Sequence, residues 1–407
     1  MCPAACAAGA VMNPAVPAVA SNAATAPIVA MAGASREPVS VGDSLRRPDV
    51  REAAGSARPG AVLGRPFALN GIDGVAALGL DGAGTKVAVL DTGVDRAHPD
   101  LGSRLLDESC FCSGRAGGAG CCPNGQPAQF GTGSAQDDNG HGTNVAGIIV
   151  GQGGVAPRGG APGAQLIAIK VADRDNRFCC STDLIAALDW LLATHPDVDV
   201  VNLSLGTDAL FAGVCDAETD FTRSLSTAVN ALVRRGALVT VSAGNNGRSG
   251  AMSAPACLQN ALSVGATWSE AGGSLSHLGC SESATAPRQT ACFSNRSEKT
   301  DVYAAGAFVV SAGLGGGTST FGGTSQATPM VAACALALRQ AAPEASVDAR
   351  RAAIKHSTRK VTDAVSGRSY PFLDCADAVR VLNPALVAAG GLRGERVLAS
   401  AIGATPQ

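Results

Sequence analysis

The sequence predicts an α/β fold, a doubly wound and mostly parallel sheet flanked by helices on both faces. Three observations predict it. Short, almost continuously apolar runs recur at Lys86–Asp91, Leu166–Val171, Val198–Leu203, Ala237–Val241 and Ala261–Val264, as strands buried on both faces do. Helical patterns lie between them. Residues 181–194 align Leu184, Leu188, Leu191 and Leu192 behind Ser181 as N-cap, and residues 221–235 align Leu225, Ala228, Val229, Leu232 and Val233 before Gly236 stops the helix. Finally, the chain is 46% hydrophobic but only 3% aromatic, with 51 glycines, so Ala, Val and Leu must pack the core at close quarters. Alternating strands and helices give a parallel sheet, whose functional groups gather beyond the carboxyl ends of the strands. Asp91, Ser204 to Gly206, and Asn245 all fall there.

Along the chain, residues 1–60 are Ala/Pro-rich and without periodicity, a leader or linker expected to be disordered. Residues 61–385 form the folded domain, with a Cys-rich insertion at about 106–135, and 386–407 read as a loose tail. The first basic residue is Arg36, so no charged n-region marks a signal peptide. No uninterrupted apolar stretch reaches the roughly 20 residues of a membrane helix. A net charge of −2 without a long basic run excludes nucleic acid as partner. Fourteen cysteines cluster as Cys110, Cys112, Cys121 and Cys122, as Cys179 and Cys180, and as Cys280 and Cys292. Disulfides in an oxidising compartment fit best, because the spacing suits a zinc knuckle poorly. Cys334, in an apolar helical run, is expected to be a buried small hydrophobe.

Four segments carry candidate chemistry. Gly322-Gly-Thr-Ser325 runs into a long apolar helix, which places Ser325 in its first turn, where backbone N–H groups and the helix dipole favour developing negative charge; taken alone, Thr324 and Ser325 could simply cap a core helix. Asp138-Asn-Gly-His141-Gly-Thr opens another helix, and an imidazole can take a hydroxyl proton near neutral pH. His98 is its competitor, although Pro99 beside it points to a structural turn; the other histidines read as locally bonded. Asp91 ends a buried strand and therefore needs a partner, which an imidazole N–H could be, while Asp95 reads as a solvated turn residue. Asn245, in Ser242-Ala-Gly-Asn245-Asn-Gly247, could aim its amide N–H at a reacting carbonyl oxygen together with the Ser325 N–H; the plain alternative is an Asn turn, which Asn246-Gly247 suits better.

With these segments in order, the chain resembles the subtilisin-like (subtilase) serine proteases over roughly residues 65–385. The motifs are Asp91-Thr-Gly-Val, His141-Gly-Thr with Val145-Ala-Gly, Ser204-Leu-Gly206, Ser242-Ala-Gly-Asn245 and Gly323-Thr-Ser325-x-Ala-Thr-Pro329, in the Asp, His, Ser order of subtilisin. The resemblance implies a seven-stranded parallel sheet, catalysis by Asp91, His141 and Ser325, and Asn245 as oxyanion donor. It also implies extended peptide substrates on Ser204, Leu205 and Gly206, an S1 pocket lined by Ser242, Ala243 and Gly244, a monomer, and a secreted or periplasmic location. Ser253, Ala254 and Pro255 near that pocket carry no charge, which favours neutral or apolar P1 side chains. Asn144 replaces a second histidine found in many relatives, so the site is expected to be tuned but active. The chemistry requires no cofactor. The family's calcium loop is not supported by residues 151–158, which hold few side-chain oxygens. The first 60 residues do not read as the folded propeptide of many relatives. The alternatives are a non-catalytic binding module on the same fold, an ester hydrolase, and a maturation protease with one cognate substrate.

Overall fold

The computed structural model of the chain describes residues 39–40, 65–114, 119–178 and 180–389; the predicted leader falls almost wholly outside these, as does most of the tail. The main sheet consists of β1 (Lys86–Asp91), β2 (Leu105–Phe111), β3 (Ala128–Phe130), β4 (Gln165–Lys170), β5 (Val200–Leu203), β6 (Leu238–Ser242), β7 (Leu262–Trp268) and β8 (Val302–Ala307). Their order is β8-β7-β6-β5-β1-β4-β2-β3. Every pair from β8 to β2 is parallel, and only β3 runs antiparallel, against β2. The implied parallel sheet is present, extended by one edge strand from the Cys-rich stretch. All five predicted runs form strands. β2 escaped the pattern because Asp107 and Glu108 interrupt it, and β8 because Val-Tyr-Ala-Ala-Gly-Ala lacks a β-branched run.

Successive side chains of a strand point to opposite faces, and here both faces are covered. Val87 and Val89 join one core with Ile148 and Ile149 of α1 (His141–Val150). Ala88 and Leu90 join the other with Leu184 and Leu188 of α2 (Ser181–Thr194), and with Leu225 and Val229 of α3 (Asp220–Arg234). α4 (Thr324–Ala341), with Val331 and Leu336, packs on the first face. Ser181 is the first residue of α2, not its cap: Cys180, with extended backbone, occupies the cap position. α3 has a true capping box between Thr219 and Thr222.

Five disulfides lie among the described residues: Cys110–Cys122, Cys112–Cys121, Cys215–Cys257, Cys280–Cys292 and Cys334–Cys375. The first two pin the Gly-rich insertion, which has little side-chain bulk to pack. Cys334 is buried as expected, but it is a half-cystine, which corrects its reading as a mere small hydrophobe. Its partner lies 41 residues on, and a local apolar pattern cannot distinguish the two states.

Candidate active site

The carboxylate of Asp91 is buried at the end of β1. Its Oδ1 accepts from the Thr92 N–H at 2.7 Å and from His141 Nδ1 at 2.7 Å. His141 is the first residue of α1, delivered by Gly140 at φ 102. The helix start sits tightly on the end of β1: a Cβ on Gly142 would lie 2.1 Å from the Gly93 carbonyl oxygen. Asp137, unassigned from sequence, organises this turn. Its Oδ1 accepts from Thr92 Oγ1 and from the N–H groups of Asn139 and Gly140, each at 2.9 Å. Its Oδ2 accepts from the Thr143 N–H at 3.0 Å and from Thr143 Oγ1 at 2.6 Å. The signal was an Asp just ahead of an Asn-Gly turn. Lys170, also missed, is buried and donates to the Thr92 and Ala172 carbonyls and to Asp138.

His98 is excluded as the base. Its Nδ1 accepts from the Asp100 N–H at 3.0 Å and its Nε2 donates to the Gly317 carbonyl at 2.8 Å, so both ring nitrogens are used. Asp95 is not a solvated turn residue. It is 5% exposed, and its Oδ2 accepts from the Gly315 N–H at 2.8 Å. A contact more than 200 residues away in sequence leaves no local trace.

Ser325 is the second residue of α4 and fully buried. At that position its N–H has no intrahelical acceptor. Its hydroxyl donates to the Ser204 carbonyl at 3.2 Å. Asn245, from the loop after β6, is locked by one end only. Its Oδ1 accepts from the Thr324 N–H at 2.9 Å and from Thr324 Oγ1 at 2.8 Å, while its Nδ2 is buried without a partner. An unpaired buried donor is costly unless something fills its place in function. Asn144 donates to Ser319 and accepts from Gln326 Nε2 at 3.5 Å, linking α1 to α4.

The structure thus joins Asp91 to His141, Ser325 to Ser204, and Asn245 to the residue before Ser325, at the carboxyl end of the sheet. Gly206–Thr207 and Arg177–Phe178 form short strands on either side of Val39–Ser40, antiparallel to both. A Cβ on Gly206 would lie 2.7 Å from Ser253 Cβ, and one on Gly244, at φ 96, would lie 2.4 Å from Ser253 Oγ. Ser242 Oγ donates to the Leu205 carbonyl at 3.2 Å, and Ala243 and Ala254 are buried. The loop 151–158 turns three N–H groups onto Asp100, from Gly154, Val155 and Ala156, at 2.6, 3.0 and 2.8 Å. Burial pushes the Asp100 carboxyl up, but these N–H groups and His98 outweigh it and hold it below the usual range.

A parallel α/β sheet with a buried Asp–His pair and a serine at a helix start defines the class of serine hydrolase whose order along the chain is Asp, His, Ser. The family model described as "Subtilase family" matches residues 82–372. Subtilisin BL of Lederbergia lenta is 36% identical over 266 residues, covering 65% of this chain and 80% of that one. The Alkaline protease of Alkalihalobacillus alcalophilus is 36% identical over the same length, covering 56% of that protein. Subtilisin E of Bacillus subtilis (strain 168) is 33% identical over 261 residues, covering 63% of this chain and 56% of that one. The chain belongs to the subtilase family and is a subtilisin-like serine endopeptidase, a hydrolase. Its disulfides are consistent with an extracellular location. No helix among the described residues is long and apolar enough to cross a membrane.

Proposed function

We propose that Ser325 is the nucleophile, His141 the general base, Asp91 its orienting acid and Asn245 the oxyanion donor. The observation that carries this reading is the buried 2.7 Å bond between Asp91 and His141 Nδ1: it fixes the tautomer in which Nε2 can accept a proton, and the carboxylate stabilises the imidazolium that results. Ser325 Oγ turns from the Ser204 carbonyl to His141 Nε2 and gives up its proton as the Oγ–C bond to the substrate carbonyl forms. The oxyanion receives the Asn245 Nδ2–H and the Ser325 N–H. Collapse breaks the C–N bond, and the proton on His141 passes to the leaving amine. Water, deprotonated by His141, then releases the acyl group and restores the Ser325 hydroxyl.

Substrates bind extended, beside Gly206. The chain's own Val39–Ser40 supports this, since it lies there as a middle strand. Ser204 and Leu205 complete that edge, and Ser242, Ala243 and Gly244 line S1, where uncharged walls favour neutral or apolar P1 side chains. The enzyme acts as a secreted monomer and its chemistry needs no cofactor. The residues of loop 151–158 do not fit a calcium ion, because three donors converge on Asp100 where a cation needs oxygens. The test is labelling with a serine-reactive phosphonate followed by peptide mapping. Modification at Ser325 with loss of peptide cleavage is expected. Labelling elsewhere, or full cleavage by Ser325→Ala, overturns the assignment.

A further inference from the structure

We propose that Asn202, through Ser204, positions the nucleophile by holding a helix carbonyl that Pro329 sets free. The proposal rests on Ser325 being the nucleophile. α4 carries Pro329 inside it, four residues after Ser325. Proline has no N–H to return to the carbonyl four residues earlier, and its ring pushes that carbonyl outward. The carbonyl so released belongs to Ser325 itself. A buried orphan acceptor in the first turn would leave that turn free to shift.

The structure satisfies it from outside the helix. Ser204 Oγ donates to the Ser325 carbonyl at 2.8 Å. Asn202 Nδ2 in turn donates to Ser204 Oγ at 3.0 Å. A hydroxyl has one proton, so with Asn202 donating to its oxygen, Ser204 directs that proton at Ser325. Thr240 Oγ1 of β6 lies 3.3 Å from both Asn202 Oδ1 and the Val201 carbonyl and shares its one proton between them, which helps to orient the amide. Asn202, Ser204, Thr240 and Ser325 are all fully buried. An amide in the otherwise apolar strand Val200–Leu203 is costly unless paired, and its partners run straight to the nucleophile's backbone. The relay reaches from two central strands of the rigid sheet to the one helical turn whose placement governs the attack distance. Asn202 and Ser204 are positioning residues here, since the relay acts through the Ser325 backbone.

The experiment measures the second-order rate constant for phosphonate labelling of Ser325, with kcat and KM on a peptide, in the full chain. Ser204→Ala keeps its backbone carbonyl and should slow labelling and kcat three- to tenfold, the worth of about one neutral hydrogen bond, with KM within twofold. Asn202→Ala should act in the same direction, since Thr240 Oγ1 keeps the Val201 carbonyl as partner, and it stands in if Ser204→Ala does not fold. The decisive variant adds Pro329→Ala to either background. That substitution supplies the missing N–H from within the helix and should restore most of the rate. Packing loss alone has no reason to be rescued this way. Labelling at the parent rate in both single variants, or slowing that Pro329→Ala leaves untouched, overturns the proposal. A parent protein whose Ser325 does not label overturns the nucleophile assignment instead, and this inference with it.

Discussion

On the proposed assignment the two ends of the Asn245 amide do different jobs, and substitutions can test them separately. Oδ1 is structural, holding the Thr324 N–H and Oγ1 at 2.9 and 2.8 Å; Nδ2 is buried and unpaired. Asn245→Leu keeps the shape and removes both. Losing two neutral hydrogen bonds, each about 0.5–1.5 kcal/mol net, should lower stability by about 1–3 kcal/mol. Losing the donor should cut kcat by about 10²–10³, a magnitude transferred from subtilisin, where one such donor is worth that much. KM should hardly change, because the donor acts on charge present only in the transition state. Asn245→Asp keeps an acceptor for Thr324 but turns the free end into an oxygen. It should preserve more stability than Asn245→Leu while losing at least as much kcat. Thr324→Val leaves the donor in place but drops one of its two tethers, and should cost kcat about two- to tenfold. Steady-state kinetics on a peptide substrate and urea unfolding of the three variants decide the matter. Unchanged kcat in Asn245→Leu, or a fall in kcat/KM carried entirely by KM, refutes the division of labour.

Other consequences follow from the same contacts. Excess EDTA should leave the thermal midpoint unchanged, whereas Asp100→Ala, which orphans three loop N–H groups, should lower stability by about 2 kcal/mol or more; a chelator-induced drop in Tm reversed by calcium would contradict the reading that this loop does not fit calcium. Asp301 is pushed up by burial, but Lys299, Arg351 and Lys355 outweigh this and hold it at about 2. Its contribution, about 2 kcal/mol, is present above pH 4 and lost as pH falls through about 2, so denaturation at pH 2–4 should be flatter in Asp301→Asn. His277 is held below its ordinary value by burial, against the opposing bond to the Gly322 carbonyl. Stability should therefore fall as pH drops below about 6.5, and His277→Gln should remove that slope. Val39–Ser40 occupies the proposed substrate edge, so a Val39→Pro, Ser40→Pro double variant, stripped of two ladder N–H groups, should show a lower KM and an unchanged kcat; an unchanged KM would remove this segment as a competitor.

Much of this protein was legible without coordinates. Period and flanking glycines gave the strands that end at Asp91 and Leu203 and the helices that begin at His141 and Thr324, because local backbone preference and two-sided burial leave a local mark. Residue chemistry singled out Asp91, His141, Ser325 and Asn245, because each is an odd choice for its position: a charge ending an apolar strand, a hydroxyl between glycines and a core helix. Contacts between distant segments left no such mark. The Cys334–Cys375 bridge, Asp95 on Gly315, the hub at Asp137 and the relay from Asn202 to the Ser325 carbonyl each depend on which side chains the sheet order brings together. The chain alone determined which groups are available and at which element ends they stand. Only the folded sheet decided which lone pair meets which proton, since a hydrogen bond is set by tenths of an ångström between residues that stand far apart in sequence.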